Sequence, residues 1–229
     1  MSSLALMRWL EAAPERYDAG MRVITLGRVL ALHQAVAEAA APKPGGRVLE
    51  IGCGTGAVTA RLVERGAEVT ALDQNPEMMD RARERLERLE RAQGSVTWLE
   101  STASEIDALA AGAFDAVVIS LALSEMSAGE RRYVLGQAAR RLARGGVLAV
   151  ADEVRPARSW QRVLFALLRG PQALLGWLLA GSVSRPVPDL AGEVCAAGFD
   201  VRAERRWLFG SLALVAAEPA PGSTEGDPP

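Results

Sequence analysis

The chain has 229 residues, of which 49% are hydrophobic, enough apolar content for one sizeable core and a modest insert. Its 26 basic and 28 acidic residues nearly cancel, so the basic excess typical of proteins that bind phosphate backbones is absent, and we expect no nucleic-acid partner. Cys53 and Cys195 are the only cysteines, too few for a disulfide framework or a cysteine-built zinc site, and no metal site is predicted.

Targeting and membrane-spanning signals are not visible in the sequence. The N-terminus lacks a basic region followed by a long apolar core, and no apolar run is long enough to span a bilayer. The stretch 163–183 comes closest, but Arg169, Gly170 and Pro171 interrupt it. We therefore expect a soluble cytoplasmic protein.

Helix-like and strand-like segments alternate along the chain. Apolar residues at helical spacing predict a helix within 22–41, which the Pro- and Gly-rich residues 42–46 then end. The following segments predict, in chain order, strand 47–51, helix 57–65, strand 68–72, helix 76–92, strands 96–99 and 114–120, helix 130–142, strand 147–151, helix 190–197 and strands 201–209 and 211–217. This alternation predicts a mainly parallel sheet covered by helices.

The segment 154–188 lies as an insert before the last two strands. It contains five arginines and no acidic residue, and Trp160 and Trp177 lie among apolar positions at helical spacing, so it predicts a helical hairpin. We expect a lid over the substrate, with membrane contact and a homodimer interface as alternatives. We expect a single domain over 1–218, which begins with a helical cap over 1–45, and a disordered tail over 219–229.

The richest segment is 48–56 (VLEIGCGTG), where a buried strand runs into three alternating glycines, Gly52, Gly54 and Gly56, and then into a helix. Glycines allow a sharp turn and let a ligand approach the backbone, and the helix N-terminus presents unpaired N–H groups. The sequence therefore predicts that all three glycines border a cofactor. With Ala57 the spacing also fits the dinucleotide pattern G-x-G-x-x-A, so NAD stays open on spacing alone.

Two acidic residues bear on the choice of cofactor. Glu50 at the end of the first strand would lie beside the pyrophosphate of NAD, where like charges repel. S-adenosyl-L-methionine (SAM) has no phosphate and carries an ammonium and a sulfonium, which an acidic loop favours. Asp73, at the end of the second strand, can accept both ribose hydroxyls of either cofactor. The electrostatics therefore favour SAM.

Four stretches resemble the class I SAM-dependent methyltransferases: VLEIGCGTG at 48–56, VTALD at 69–73, FDAVVIS at 114–120 and RLARGGVLAVADE at 141–153. The resemblance implies an α/β, doubly wound, Rossmann-like sheet of seven strands with the last strand antiparallel, and a methyl transfer by in-line displacement. It also implies that Glu50 holds the SAM amino group and that Asp73 binds the ribose. The other implied cofactor contacts are Gly52, Cys53 and Gly54 at the methionine, Gln74 and Met78 at the adenine, and Ser120 beneath the cofactor.

One position departs from the pattern of these methyltransferases. Many of them have, after the third strand, an Asp that accepts a hydrogen bond from the adenine amino group. Here the aligned residue is Thr102, followed by Ala103. A hydroxyl can still accept that bond, so both residues are expected at the adenine.

A narrower resemblance involves 13–18 (APERYD), the following 21–27, and 186–190 (PVPDL), which are similar to methyltransferases associated with corrinoid proteins. It implies a small-molecule or corrinoid-linked acceptor and a corrinoid protein as a partner. The quinone C-methyltransferases also have a Tyr-Asp near this position, but the rest of their N-terminal pattern is missing here. A SAM-binding regulatory protein without catalysis is the remaining alternative, because a fold does not prove a function.

Two residues are candidates for the chemistry. Glu125 follows the fourth strand, on the side to which the methyl group should point, and could act as a general base. Tyr17 could close over the cofactor from the N-terminal segment. Asp152, at the end of the fifth strand, lies either within reach of the cleft or at a cap. His33, the only histidine, shares a helical face with apolar residues and is expected at the edge of the core.

Overall fold

A computed structural model of the protein describes residues 14–41, 43–156 and 186–221. The strands are β1 (Arg47–Ile51), β2 (Glu68–Asp73), β3 (Ser95–Glu100), β4 (Phe114–Ser120), β5 (Leu142–Glu153), β6 (Phe199–Trp207) and β7 (Leu212–Pro219). They form one sheet in the order β3-β2-β1-β4-β5-β7-β6. The pairs from β3 to β5 are parallel, and β7 runs antiparallel to both of its neighbours. The predicted mainly parallel sheet of seven strands is confirmed.

Helices cover both faces of this sheet. They are α1 (Pro14–Ile24), α2 (Arg28–Ala40), α3 (Ala57–Glu64), α4 (Pro76–Glu87), α5 (Ala128–Arg141) and α6 (Leu190–Ala196). Helix α4 begins where the Asn75 side chain accepts from the Glu77 and Met78 N–H groups, with Pro76 in the first turn. Helix α5 begins with a capping box between Ser127 and Glu130.

Two helix predictions differ from the structure. The helix predicted within 22–41 is broken at Leu26 and Gly27, which have φ of 49° and 76°, and the Thr25 hydroxyl accepts from the Val29 N–H at the start of α2. The helix predicted to residue 92 ends at Glu87. The chain must turn there because Gly94 approaches the backbone of Ala67 so closely that a Cβ at Gly94 would lie 2.0 Å from the Ala67 carbonyl oxygen.

The core has one apolar cluster on each face of the sheet. Leu32 and Val36 of α2 and Leu62 of α3 pack on one face. Leu135 of α5 and Val194 of α6 pack on the other. Burial on both faces explains why the central strands are apolar almost throughout. It also leaves the carboxyl ends of the parallel strands as the place where ligands can enter.

The boundaries of the insert and of the tail are partly visible. Val154 and Val187 form a parallel bridge, so the two ends of the insert meet beside the end of β5. The hairpin predicted between them, with Trp160 and Trp177, falls on 157–185, which lies outside the described residues. Residues 222–229 of the predicted tail also lie outside them. Strand β7 continues to Pro219, beyond the predicted boundary of the tail.

Within the described ranges, no single helix combines the length and the apolar character of a membrane span. Only the bent pair formed by Tyr17–Val23 and Arg28–Ala40 meets those two criteria together.

Candidate functional site

One cavity of about 290 Å³ opens at the carboxyl ends of β1 to β4. Its wall contains the predicted site residues Tyr17, Glu50, Gly52, Cys53, Gly54, Asp73, Gln74, Met78, Thr102, Ala103, Ser120 and Glu125. The sheet therefore brings together residues from the carboxyl ends of four strands, β1 to β4, and from helix α1, as expected for an open α/β sheet. Gly56 is the predicted site residue that is not part of this wall.

The three glycines of the β1–α3 loop have different roles. All have positive φ, at 74° for Gly52, 52° for Gly54 and 71° for Gly56. A Cβ at Gly56 would lie 2.8 Å from the Ala82 Cβ, so this glycine lets α4 pack against the loop. A Cβ at Gly54 would meet no protein atom within 4 Å, and this glycine borders open cavity space. Gly56 thus serves packing, whereas Gly54 leaves space for a ligand.

Glu50 is a buried carboxylate that also lines the cavity. Only 1% of its surface is exposed, and its Oε2 accepts from the Thr59 hydroxyl of α3 at 2.7 Å. Burial raises the pKa of Glu50 from 4.5 to about 8, and the nearby Asp73 raises it further, against the hydrogen bonds from Thr59. A cation entering the cavity would stabilise the ionised form of this group.

Asp73 anchors the glycine loop. Its Oδ2 accepts from the Gly54 N–H at 2.8 Å and its Oδ1 from the Asn75 N–H at 2.9 Å. Each carboxylate oxygen keeps a further lone pair, which can accept from the ribose hydroxyls as predicted for this residue type. The sequence did not predict the contact to Gly54, because it depends on the turn of the loop rather than on spacing.

Two of the residues predicted at the adenine lie at a short 3₁₀ turn, Ala103–Ala108, which Thr102 caps and Ala103 begins. The Glu105 carboxylate accepts from the Thr102 N–H at 3.1 Å and from the Ser101 hydroxyl. These bonds lower the pKa of Glu105, the one to Ser101 most. They fix the turn so that Thr102 and Ala103 face the cavity.

Asp152 holds the turn that carries Glu125. It is fully buried, and its Oδ2 accepts from the Leu123 N–H at 2.7 Å and the Ser124 N–H at 3.1 Å. Leu123–Glu125 is a 3₁₀ turn between β4 and α5, and Glu125 and Met126 both line the cavity. Asp152 is therefore a cap inside the protein rather than a residue of the cavity wall.

Helix α1 is tied to the glycine loop by a polar cluster. The Thr55 hydroxyl donates to Asp18 at 2.8 Å, and Arg85 of α4 forms an ion pair with the same carboxylate. Asp18 directly follows Tyr17, so this cluster positions the tyrosine in the cavity wall. Tyr17 thus borders the cavity from the N-terminal segment, and its closure over the cofactor stays a prediction.

His33 was expected at the core edge, and the structure places it in the cavity wall. Its Nδ1 is buried and has no hydrogen-bond partner among the described residues. Burial lowers the pKa of His33 from 6.5 to about 4, so the imidazole is neutral near pH 7. The sequence did not predict that His33 borders the cavity. Its helical face is apolar, and the pattern does not show that part of this face meets the cavity instead of the core.

The wall fits SAM better than NAD. Glu50 and Asp73 match a cofactor with two positive groups, and they would repel a pyrophosphate. The Ser120 Oγ in the wall is buried without a hydrogen-bond partner in the described part of the chain, so a polar ligand atom would satisfy it. No group of three or more potential metal ligands occurs within 14–41, 43–156 and 186–221.

Comparison with known proteins gives the family. A family model described as a methyltransferase domain matches residues 48–146. An uncharacterized methyltransferase of Synechocystis is 29% identical over 212 residues, which are 91% of this chain and 93% of that protein. An uncharacterized methyltransferase of Mycobacterium tuberculosis is 31% identical over 153 residues, which are 67% of this chain and 69% of that protein. The chain belongs to the class I SAM-dependent methyltransferases.

The fold comparison agrees with this family. The magnesium protoporphyrin IX methyltransferase of Synechocystis, solved with bound S-adenosylhomocysteine (SAH), aligns with a TM-score of 0.64 at 18% identity, covering 84% of this chain and 83% of that one. At this identity the likeness shows the fold alone. The cofactor of the protein described here, as a member of the SAM-dependent methyltransferases, is SAM, which the acidic glycine loop had predicted.

The residues of the methyltransferase mainly have to position and protect the reacting groups. Bound SAM supplies a methyl group that its sulfonium has already activated. Glu50 and Asp73 would hold the cofactor at its amino group and ribose, and Gly54 leaves space for it. Tyr17 and Glu125 border the same cavity and would align the acceptor and exclude water.

Proposed function

We propose that this methyltransferase modifies a small neutral or cationic molecule, which enters between Tyr17 and Glu125. The observation that supports this proposal is the charge of the cavity wall. Among the described residues it contains four acidic side chains, Glu50, Asp73, Glu125 and Glu130, and no lysine or arginine. Glu50 and Asp73 are assigned to the cofactor, so Glu125 and Glu130 are the acids that disfavour acceptors carrying phosphate or several carboxylates.

Glu125 is the proposed general base. The Asp152 side chain accepts hydrogen bonds from the backbone N–H groups of the turn that carries Glu125. The Glu125 carboxylate therefore extends from a fixed element. When the acceptor atom is a hydroxyl oxygen or the nitrogen of a neutral amine, its proton passes to a Glu125 carboxylate oxygen as the bond to the methyl carbon forms, while the carbon–sulfur bond breaks and SAH leaves. Leu121 and Met126, next to Glu125 in the wall, provide apolar contacts to the body of the acceptor.

The test is SAH formation by the full-length protein with a panel of acceptors: amines, phenols, carboxylic acids, a quinol and a reduced corrinoid. We expect turnover with an amine or a phenol. Glu125→Gln should lower kcat by about 10²-fold or more, as for loss of a general base, and leave the Kd of SAM unchanged. Glu68→Gln, an exposed acid at the start of β2, is the matched control.

Three results would contradict the proposal. Turnover restricted to carboxylic acids would show that the acidic wall does not select the acceptor. Turnover restricted to the corrinoid would instead favour the corrinoid-linked acceptor suggested by the N-terminal resemblance. If Glu125→Gln has the same kcat as the parent protein with the best acceptor, Glu125 is not the general base.

A further inference from the structure

His33 leaves a polar atom without a partner inside the cofactor cavity. It lies in α2 between the buried residues Leu32 and Val36, and its ring lines the cavity together with the glycine loop. A buried nitrogen without a hydrogen bond is costly, so such an atom in a wall indicates a ligand group that completes it. We therefore expect one polar group of the bound ligand to form a hydrogen bond with His33.

The first turn of α3 lies in the same wall. This helix starts at Ala57 without a side-chain cap, and its first turn carries no acidic residue. Ala57 and Val58 both line the cavity. The N–H groups at a helix start are unpaired within the helix and favour a negative charge. Together with His33, this turn forms a place where an anionic group would be stabilised.

The position of Glu50 indicates which anionic group of the cofactor could reach His33. Its carboxylate is bound by Thr59 of α3, so an ammonium paired with Glu50 would lie beside the start of this helix. In SAM the ammonium and the α-carboxylate are attached to the same carbon atom. We infer that His33 and the first turn of α3 form the subsite for the α-carboxylate of SAM, with His33 Nδ1 donating a hydrogen bond to it. The inference rests on SAM as the cofactor and on Glu50 as the partner of its ammonium.

The charges around His33 agree with this role. Arg61 of α3 and Arg85 of α4 act on its ring and favour the neutral form, whereas Asp18 of α1 acts in the opposite direction. A neutral imidazole still has one N–H to donate.

The test compares two ligands by calorimetry: SAH, and its decarboxylated analogue, in which a hydrogen replaces the α-carboxylate. We expect the parent protein to bind SAH about tenfold or more tightly than the analogue, as for a hydrogen bond to a charged group. His33→Leu should lower the affinity for SAH about tenfold and leave that for the analogue within about twofold. His33→Asn, whose side-chain nitrogen can replace Nδ1, should retain most of the affinity for SAH. Gln34→Ala, on the exposed face of α2, is the matched control.

A second measurement uses the fact that the chain has one histidine. Its imidazole resonances can be followed by NMR in the full-length protein as the pH changes. Binding of SAH should raise the pKa of His33, because the carboxylate favours the protonated ring, and binding of the decarboxylated analogue should not.

The outcomes separate this inference from the cofactor assignment. If SAH does not bind the parent protein, the cofactor assignment fails. If SAH binds and His33→Leu weakens both ligands equally or neither, the carboxylate subsite is wrong. Unchanged SAH affinity combined with a lower kcat in His33→Leu would place the histidine at the acceptor instead, and would also overturn the inference.

Discussion

Glu50 and Asp152 are two buried carboxylates at the ends of β1 and β5, and they differ in what satisfies them. Asp152 accepts from the N–H groups of Leu123 and Ser124, and its second oxygen accepts from its own neighbour, Glu153, at 2.6 Å. Glu50 accepts from Thr59 alone among the residues that surround it in the described structure. The protein itself supplies hydrogen bonds to both oxygens of Asp152, whereas Glu50 has room for a further partner from a ligand.

The pKa values of the two groups reflect this difference. Burial is the main cause that raises both, to about 6 for Asp152 and about 8 for Glu50. At Asp152 hydrogen bonds and the positive charge of Arg131 oppose the rise, whereas at Glu50 the neighbouring Asp73 adds to it. Equally buried carboxylates therefore have different roles: Asp152 stabilises a turn, and Glu50 can pair with a cationic ligand.

The largest effect is expected at Asp152. Asp152→Ala leaves two buried N–H groups unpaired and should lower the free energy of unfolding by about 3 kcal/mol, measured by urea denaturation. Asp115→Ala is the matched control, because this exposed carboxylate also accepts a backbone N–H, that of Arg47, at 2.8 Å. The control should lose about 1 kcal/mol or less, since water replaces the lost bond. Equal losses would show that burial does not distinguish the two carboxylates.

The second effect is on cofactor affinity. Glu50→Gln removes the charge that would pair with the ammonium of the cofactor and should weaken SAH binding about 30-fold, measured by calorimetry. The stability of the ligand-free protein should be unchanged or higher near pH 8, because a buried charge is removed. Glu68→Gln serves again as the exposed control. Parent-like SAH affinity in Glu50→Gln would place the ammonium elsewhere.

The third effect is on pH dependence. Because the pKa of Glu50 rises from 4.5 to about 8 on folding, the folded protein binds a proton that the unfolded chain has released. The free energy of unfolding should therefore fall as pH rises through this window. Asp152 acts in the same direction between 3.8 and about 6, and His33 in the opposite direction between about 4 and 6.5.

The range from 6.5 to about 8 thus isolates Glu50 from Asp152 and His33. In that range Glu50→Gln should flatten the fall in stability, measured by urea denaturation at several pH values. SAH binding near pH 7 should release protons, because its ammonium favours the ionised carboxylate, and the binding heat should then depend on the ionisation enthalpy of the buffer. The same heat in every buffer would show that SAH binding does not change the ionisation of Glu50, and would contradict the pairing of its carboxylate with the ammonium.

Local patterns predicted the strands better than the helix ends. Strands 47–51 and 114–120 have the predicted bounds, because burial on both faces makes their apolar runs distinct. The end of the helix predicted to residue 92 was wrong, because the local sequence pattern does not report the close approach of Gly94 to Ala67. Long-range packing decides where such a helix must end.

The two halves of the site were predictable to different extents. The cofactor half lies on short segments at strand ends, where residue type and position suffice, and Glu50, Gly54 and Asp73 lie in the cavity wall as expected. Gly56 was placed at the cofactor, but its neighbour is Ala82, which only the packing of α4 brings close. His33 was placed at the core edge because its helical face gives no sign that part of it borders a cavity.

The sequence by itself determined the sheet class, the acidic glycine loop and the cofactor, because each depends on residues that are close along the chain. The tertiary structure decided which buried acid is satisfied and which is left for a ligand. It also decided that His33 of helix α2 borders the same cavity as Glu50 of strand β1. Burial and electrostatic neighbours arise from segments far apart in the chain, so spacing and composition do not contain them.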